Sequence, residues 1–204
     1  EDEDVASAAL AARIAAAISR NEGIFRLGLS TGSSPVALYR ELVRLNKAGE
    51  VSFRNVEIFS IDEYYPAPSD SQSRNRRLYE ELIAHIDVAP ENVHVPKVTQ
   101  VKDVDAVSEY CARYDSMASG MDMLVMGVGE KGQIGFNGAG AAETSRTRTV
   151  HLSYGSRKRQ AKNFGGNVDI TPNSAIALGI STMMTAKKIY LIGWGEDKAQ
   201  VVKN

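Results

Sequence analysis

The stretch Asp122–Arg148, DMLVMGVGEKGQIGFNGAGAAETSRTR, decides the fold. It opens on Met123–Met126, an apolar run with the length and composition of a buried strand. It then breaks into a loop carrying Gly127, Gly129, Gly132, Gly135, Gly138 and Gly140, a backbone able to approach a ligand closely. Open α/β sheets place their ligands in such loops, at the carboxyl ends of parallel strands. The spacing Gly127-x-Gly129-x-x-Gly132 also matches a dinucleotide fingerprint, which requires a helix to begin inside it. The chain instead continues Gln133-Ile134-Gly135-Phe136-Asn137-Gly138, with no helical period, and the nicotinamide reading is set aside.

Upstream, Asp4–Ser19 reads as an alanine-rich helix with Val5, Leu10, Ile14 and Ile18 on its apolar stripe. A strand follows at Ile24–Leu29, and its carboxyl end opens into Ser30-Thr31-Gly32-Ser33-Ser34-Pro35 before a helix over about Pro35–Lys47. Hydroxyls and free N–H groups meeting a helix N-terminus make an anion cradle. The loop lacks the Gly-Lys-Ser/Thr ending of a nucleotide P-loop, so a monophosphate fits better than a triphosphate. Taken alone, such a loop is also an ordinary helix cap. The next strand, Val56–Ile61, delivers Asp62-Glu63-Tyr64-Tyr65-Pro66, two carboxylates that serve equally as a cap or as acid–base groups. Further helices are predicted over roughly Gln72–Ile86 and Val104–Met117, the latter with Val107, Tyr110, Cys111 and Tyr114 inward. Short strands are predicted at Thr149–Leu152 and Lys188–Trp194. The basic run Ser156–Lys162 has no aromatic platform beside it and reads as a solvated helix face.

Composition narrows the function. A chain of 204 residues, 43% hydrophobic, can bury a full core and is most simply one domain, residues 1–204. A formal charge of −1 gives no argument for nucleic acid as a partner. The lone Cys111 excludes an internal disulfide and fits a reducing, cytoplasmic setting, while His85, His94 and His151 lie too far apart to suggest a metal site. The acidic start EDEDVASAALAARIAAAIS is unlike a basic signal peptide. No stretch approaches the ~20 apolar residues of a membrane span, so a soluble protein is expected.

The central loop resembles that of the glucosamine-6-phosphate deaminase (isomerase) family, G-[IV]-G-x-x-G-H-I-[AG]-F-N-E-P. Gly127, Gly129, Gly132, Ile134, Gly135, Phe136 and Asn137 agree with it. Three positions depart: Lys131 stands where many members have Asp, Gln133 where the family has His, and Gly138 where it has Glu. The segment His85–Pro96 also matches, as do Pro172 and Ala175–Ile180, so the likeness spans roughly Ile24–Lys203. The resemblance implies a Rossmann-like α/β fold: an open, mostly parallel sheet with helices on both faces. It implies a hexosamine or hexose phosphate as partner, with neither metal nor organic cofactor. Ser30, Thr31, Gly32, Ser33, Ser34 and Gly127 would hold the substrate phosphate, with Lys162 (at a family Arg position) and Lys198 as cations. Asp62 would be the base moving a proton between C2 and C1, Glu63 its support, and Gln133 the stand-in for the ring-opening His.

An amide has no protonation step near neutral pH, so Gln133 predicts attenuated deamination. The alternatives are a sugar-phosphate-binding sensor domain without turnover and, more weakly, a 6-phosphogluconolactonase-like hydrolase. Family members are often hexamers or monomers, so a homo-oligomer is one expectation and a monomer the other. They also continue past the point where this chain stops, at Asn204 inside a predicted helix, which suggests a truncated end.

Overall fold

The computed structural model describes residues 2–68, 72–98 and 103–203. Its parallel sheet contains β1 (Phe25–Leu29), β2 (Val56–Ser60), β4 (Val93–His94), β5 (Met123–Gly127) and β8 (Ile189–Ile192), in the order β4-β2-β1-β5-β8. The strand alternation feeds two cores. Phe25, Leu27 and Leu29 of β1, Val56 and Ile58 of β2, and Met123 and Val125 of β5 face one side. There they meet α1 (Glu3–Arg20) and α2 (Val36–Lys47), which also pack on each other. Phe59, Leu124 and Met126 point the other way, toward Tyr114 and Ala118 of α4 (Val104–Ala118) and Met183 of α6 (Ile180–Met183). Period-two side chains on strands covered by helices on both faces account for their nearly continuous burial.

The expected mostly parallel sheet is therefore present, and an antiparallel sheet accompanies it. β3 (Asp62–Tyr65), β7 (Ser174–Ala177) and β6 (Arg148–His151) form a second, three-stranded sheet in the order β3-β7-β6. The two sheets meet at Ile61, whose N–H donates to Leu29 O at 3.2 Å while its carbonyl accepts from Leu178 N at 2.8 Å. Asp62 is the first residue beyond that junction.

Several boundaries differ from the sequence reading. The helix predicted over Gln72–Ile86 is α3 (Arg74–Glu81), followed by a 3₁₀ turn at Ile83–His85. The break falls at Leu82, where φ −137° and ψ −62° leave the helical region. On α1, Val5 is exposed, and small residues (Ser7, Ala11, Ala15) join Leu10, Ile14 and Ile18 on the buried face. Of the α4 stripe, Val107, Cys111 and Tyr114 are buried and Tyr110 is half-buried. The strands predicted at Thr149–Leu152 and Lys188–Trp194 are shifted or shortened to β6 and β8. The remaining short helices are α5 (Tyr154–Gln160) and α7 (Ala199–Lys203). Among the described residues, no helix is long and apolar enough to cross a membrane.

Candidate active site

In the main sheet the chain runs from β1 outward to β2 and β4, then returns to β5 on the other side of β1. The crevice between β1 and β5 is thus the topological switch point, where a ligand is expected outside the carboxyl ends of the strands. A cleft of about 680 Å³ lies there. One wall is the loop Ser30–Ser34, which leads from β1 into α2. Another is Gly127–Glu130 with Gln133 and Gly135, following β5. The remaining walls carry Arg74, Arg76 and Arg77 from α3, Arg159 and Lys162 from around α5, and Lys198 just ahead of α7.

The Ser/Thr loop is braced at three points. Ser30 Oγ accepts from Gly127 N at 3.3 Å, the Tyr39 hydroxyl donates to Ser30 O at 2.5 Å, and Trp194 Nε1 donates to Ser34 O at 2.7 Å. Gly127 packs tightly on the loop, since a Cβ there would lie 3.1 Å from Ser34 Cβ and Oγ. All of Ser30, Thr31, Gly32, Ser33 and Ser34 line the cleft, but their hydroxyls are not equivalent. Ser30 and Thr31 are buried and bonded into the wall, while Ser33 is exposed. The part of the cradle open to an anion is accordingly Gly32–Ser34 and the amino end of α2, whose dipole favours negative charge. Lys162 and Lys198 both reach this cleft, and so does Arg159. The basic run expected to be a solvated face is partly a cleft wall, and its Arg157 is a structural tie, donating to Val168 O at 2.6 Å and Thr171 O at 3.1 Å.

Asp62 lies at the junction of the two sheets, behind the cleft wall. Its side chain has no solvent exposure and is absent from the cleft walls. Oδ1 pairs with Arg74 Nε at 2.8 Å and accepts from Thr31 Oγ1 at 3.3 Å. Arg74 also reaches Thr31 Oγ1 at 2.8 Å and Thr31 O at 2.9 Å, with its guanidinium carbon 4.7 Å from the centroid of the Phe136 ring. Oδ2 is buried without a hydrogen-bond partner, and Gly135 presses against it. Burial pushes the Asp62 carboxyl above the usual carboxylate range, and the Arg74 guanidinium opposes that shift.

Glu63, expected to support the acid, faces away from it. Adjacent residues on β3 point to opposite sides of the strand, and Glu63 reaches the amino end of α3. There its carboxylate accepts from the N–H groups of Arg74 (3.1 Å) and Asn75 (3.0 Å), from Asn75 Nδ2 (2.7 Å) and from the Ser73 hydroxyl (2.5 Å). Glu63 thereby fixes the position of the residue that pairs with Asp62.

Gln133 borders the cleft, but its side chain folds back over Gly129 and its Oε1 accepts from Lys131 N at 2.9 Å. A Cβ on Gly129 would fall 2.1 Å from Gln133 Cδ, so glycine is required there for this fold-back. Isolated bridges Val128–Ile134 and Ile134–Asn137 tie the loop into a compact turn in place of the helix a dinucleotide site needs. Lys131 and Gly138 are exposed and stand outside the cleft walls. None of His85, His94 and His151 borders it either. No cluster suited to a metal ion occurs among the described residues. Arg74, Tyr64 and Arg159 are among the cleft residues the sequence reading did not single out, and only the charge density of Ser73-Arg74-Asn75-Arg76-Arg77 hinted at the first.

Comparison with known proteins fits this geometry. The family model for glucosamine-6-phosphate isomerases/6-phosphogluconolactonase matches residues 1–204. The chain belongs to this family. Within the glucosamine-6-phosphate isomerase/6-phosphogluconolactonase family it is 38% identical over 182 residues to glucosamine-6-phosphate deaminase 2 of Bacillus subtilis, covering 87% of this chain and 72% of that one. It is 39% identical over 200 residues to the glucosamine-6-phosphate deaminase of Beutenbergia cavernae, covering 96% and 75%. A deaminase-like protein of Bacteroides thetaiotaomicron is 40% identical over 181 residues, but the chain spans only 27% of its length. Among solved structures, a monomeric glucosamine-6-phosphate deaminase superposes with a TM-score of 0.90 at 29% identity, over 100% of this chain and 83% of that one. The 6-phosphogluconolactonase of Thermotoga maritima gives 0.74 at 16% identity, over 100% and 85%, a likeness of fold alone.

Proposed function

We propose that the cleft binds a hexosamine or hexose 6-phosphate and that the chain is a deaminase/isomerase with attenuated turnover. The observation that carries this reading is the convergence of Gly32–Ser34, Gly127, Lys162 and Lys198 on one crevice, with the acid Asp62 immediately behind it. The phosphate would sit at the amino end of α2, leaving the far end of an open-chain sugar near Asp62. Asp62 would take the C2 proton of the 2-amino aldehyde while O1 gains a proton, giving an enolamine. Returning a proton to C1 gives a 2-imine, and addition of water then releases ammonia and leaves the 2-ketose phosphate. The net reaction takes up one water, making this a hydrolytic deamination suited to amino-sugar metabolism in the cytoplasm.

The attenuation follows from Gln133. Loss of a positioned acid–base group typically lowers a rate by about 10²–10⁴, and ring opening would then fall to the spontaneous reaction. A second reading, a sugar-phosphate-binding domain without turnover, is favoured by the complete burial of Asp62 beneath Arg74.

The test is incubation with glucosamine 6-phosphate, measuring ammonia and fructose 6-phosphate alongside calorimetric binding. Slow turnover that disappears in Asp62→Asn, with binding kept, supports the enzyme. Binding without ammonia in either protein supports the binding domain. Absence of binding would remove both.

A further inference from the structure

We propose that Arg74 is a positioning residue of the cleft, a latch that holds Asp62 away from substrate and so sets this chain toward binding over turnover. The inference rests on reading the cleft as a sugar-phosphate site.

Arg74 is part of the cleft wall and Asp62 is not, so a ligand reaching down from the Ser30–Ser34 loop meets a guanidinium where the acid should be. The guanidinium is held on several sides: by Asp62, by the hydroxyl and carbonyl of Thr31, and by the face of Phe136. It is also brought there from its backbone, since Glu63 accepts from the Arg74 N–H. A planar guanidinium fork suits this multiple grip in a way an ammonium does not. The second carboxylate oxygen gains no access either, because it lies against Gly135. Both faces of the acid are therefore closed by the protein.

The latch has a cost and a benefit for the acid. The charged and titratable groups that act on Asp62 are Arg74 from α3, Glu63 from β3, Tyr39 from α2, Tyr64 from β3 and Tyr114 from α4. Arg74 supplies the positive charge that keeps the buried carboxyl from rising further. Shortening Arg74 should open the acid to the cleft, where substrate can reach it. A rate gain that depends on Asp62, with binding kept, separates a latch from a merely structural arginine.

The experiment compares wild type, Arg74→Ala, Arg74→Lys and Arg74→Ala/Asp62→Asn. Backbone capping by Glu63 survives these changes, since it uses the Arg74 N–H, and Arg74→Lys provides a milder variant should Arg74→Ala fold poorly. Two quantities are followed from pH 6 to 9: calorimetric binding of glucosamine 6-phosphate and ammonia release. The proposal expects wild type and Arg74→Ala to bind the sugar within about threefold of each other. Ammonia release by Arg74→Ala should be at least tenfold faster than that of wild type. Arg74→Lys should be intermediate, and adding Asp62→Asn should abolish the gain.

Binding by both proteins with no rate gain at any pH would overturn the latch while leaving the cleft reading intact. Failure of both proteins to bind would sink the sugar-phosphate reading itself, and the latch with it.

Discussion

At Gly135 the main chain passes so close to Asp62 that a side chain has no room. A Cβ would lie 2.5 Å from Asp62 Oδ2, and φ is +58°, a region L side chains rarely adopt. Gly135→Ala should therefore cost roughly 1–3 kcal/mol, and each kcal/mol lowers the melting temperature of a domain this size by about 2–4 °C. Gly138 is the control on the same loop. Nothing lies within 4 Å of its added Cβ and its φ is not positive, so Gly138→Ala should melt within about a degree of wild type or slightly above it. Equal losses from both variants in a thermal melt would count against the close packing of loop on acid. The same residues mark the limit of what the sequence disclosed. The positions of Asp62 and the glycines near the strand ends were legible because their types and order mark where strands give way to loops. Arg74 was not, because an arginine in a basic run signals only charge until a strand, a helix cap and a threonine carbonyl fix its direction.

At the scale of elements, α3 depends on a cap supplied from another part of the chain. Ser73 caps it locally, accepting from Arg76 N at 3.3 Å, but Glu63 on β3 takes both the Arg74 and Asn75 N–H groups. A carboxylate at a helix N-terminus is favoured by the dipole as well as by these bonds. Glu63→Ala leaves buried donors unpaired and should cost roughly 1–3 kcal/mol. The loss should be local: amide hydrogen exchange at Arg74–Leu78 should speed up, while α4 keeps its protection. Uniform acceleration across both helices would show that α3 is not separately anchored. Sequence pattern placed α1, α2, α4 and the strands β1, β2 and β5 correctly, located β8 with a longer span, and did not find the two-residue β4. It overextended α3, because the helical pattern continues into Leu82–Ile86 and only the tertiary fit of Leu82 and Ile83 in the core stops the helix. It also missed β3 as a strand, since four residues between a junction and a proline offer no readable period.

At the scale of the molecule, Asp115 ties the two sheets together. It is buried on α4 and its Oδ1 accepts from the Thr147 N–H and hydroxyl, both at 2.7 Å, at the edge of the antiparallel sheet. It also accepts from the Thr182 hydroxyl on α6, while Oδ2 pairs with Arg146 at 2.6 Å. Burial alone would raise its pKa, but the Thr182 and Thr147 hydrogen bonds and the Arg146 charge outweigh it and hold the carboxyl below its usual range. Asp87 and Asp122 are shifted the same way. A carboxyl with a depressed folded-state pKa contributes stability above its unfolded value of about 3.9 and loses it as pH falls through the folded value. Asp62, whose pKa is raised, acts in the opposite sense: its contribution is complete below the unfolded value and lost as pH rises through the folded one. The urea midpoint should therefore fall steeply below about pH 4, where three depressed carboxyls act against one raised. Asp115→Asn should lower the midpoint at pH 7, because a neutral amide replaces the charge that the threonines and Arg146 stabilise. It should also flatten the decline between pH 5 and pH 2, since the titrating group is gone. A variant that loses as much stability as wild type over that acid range would place the acid sensitivity elsewhere than at this junction.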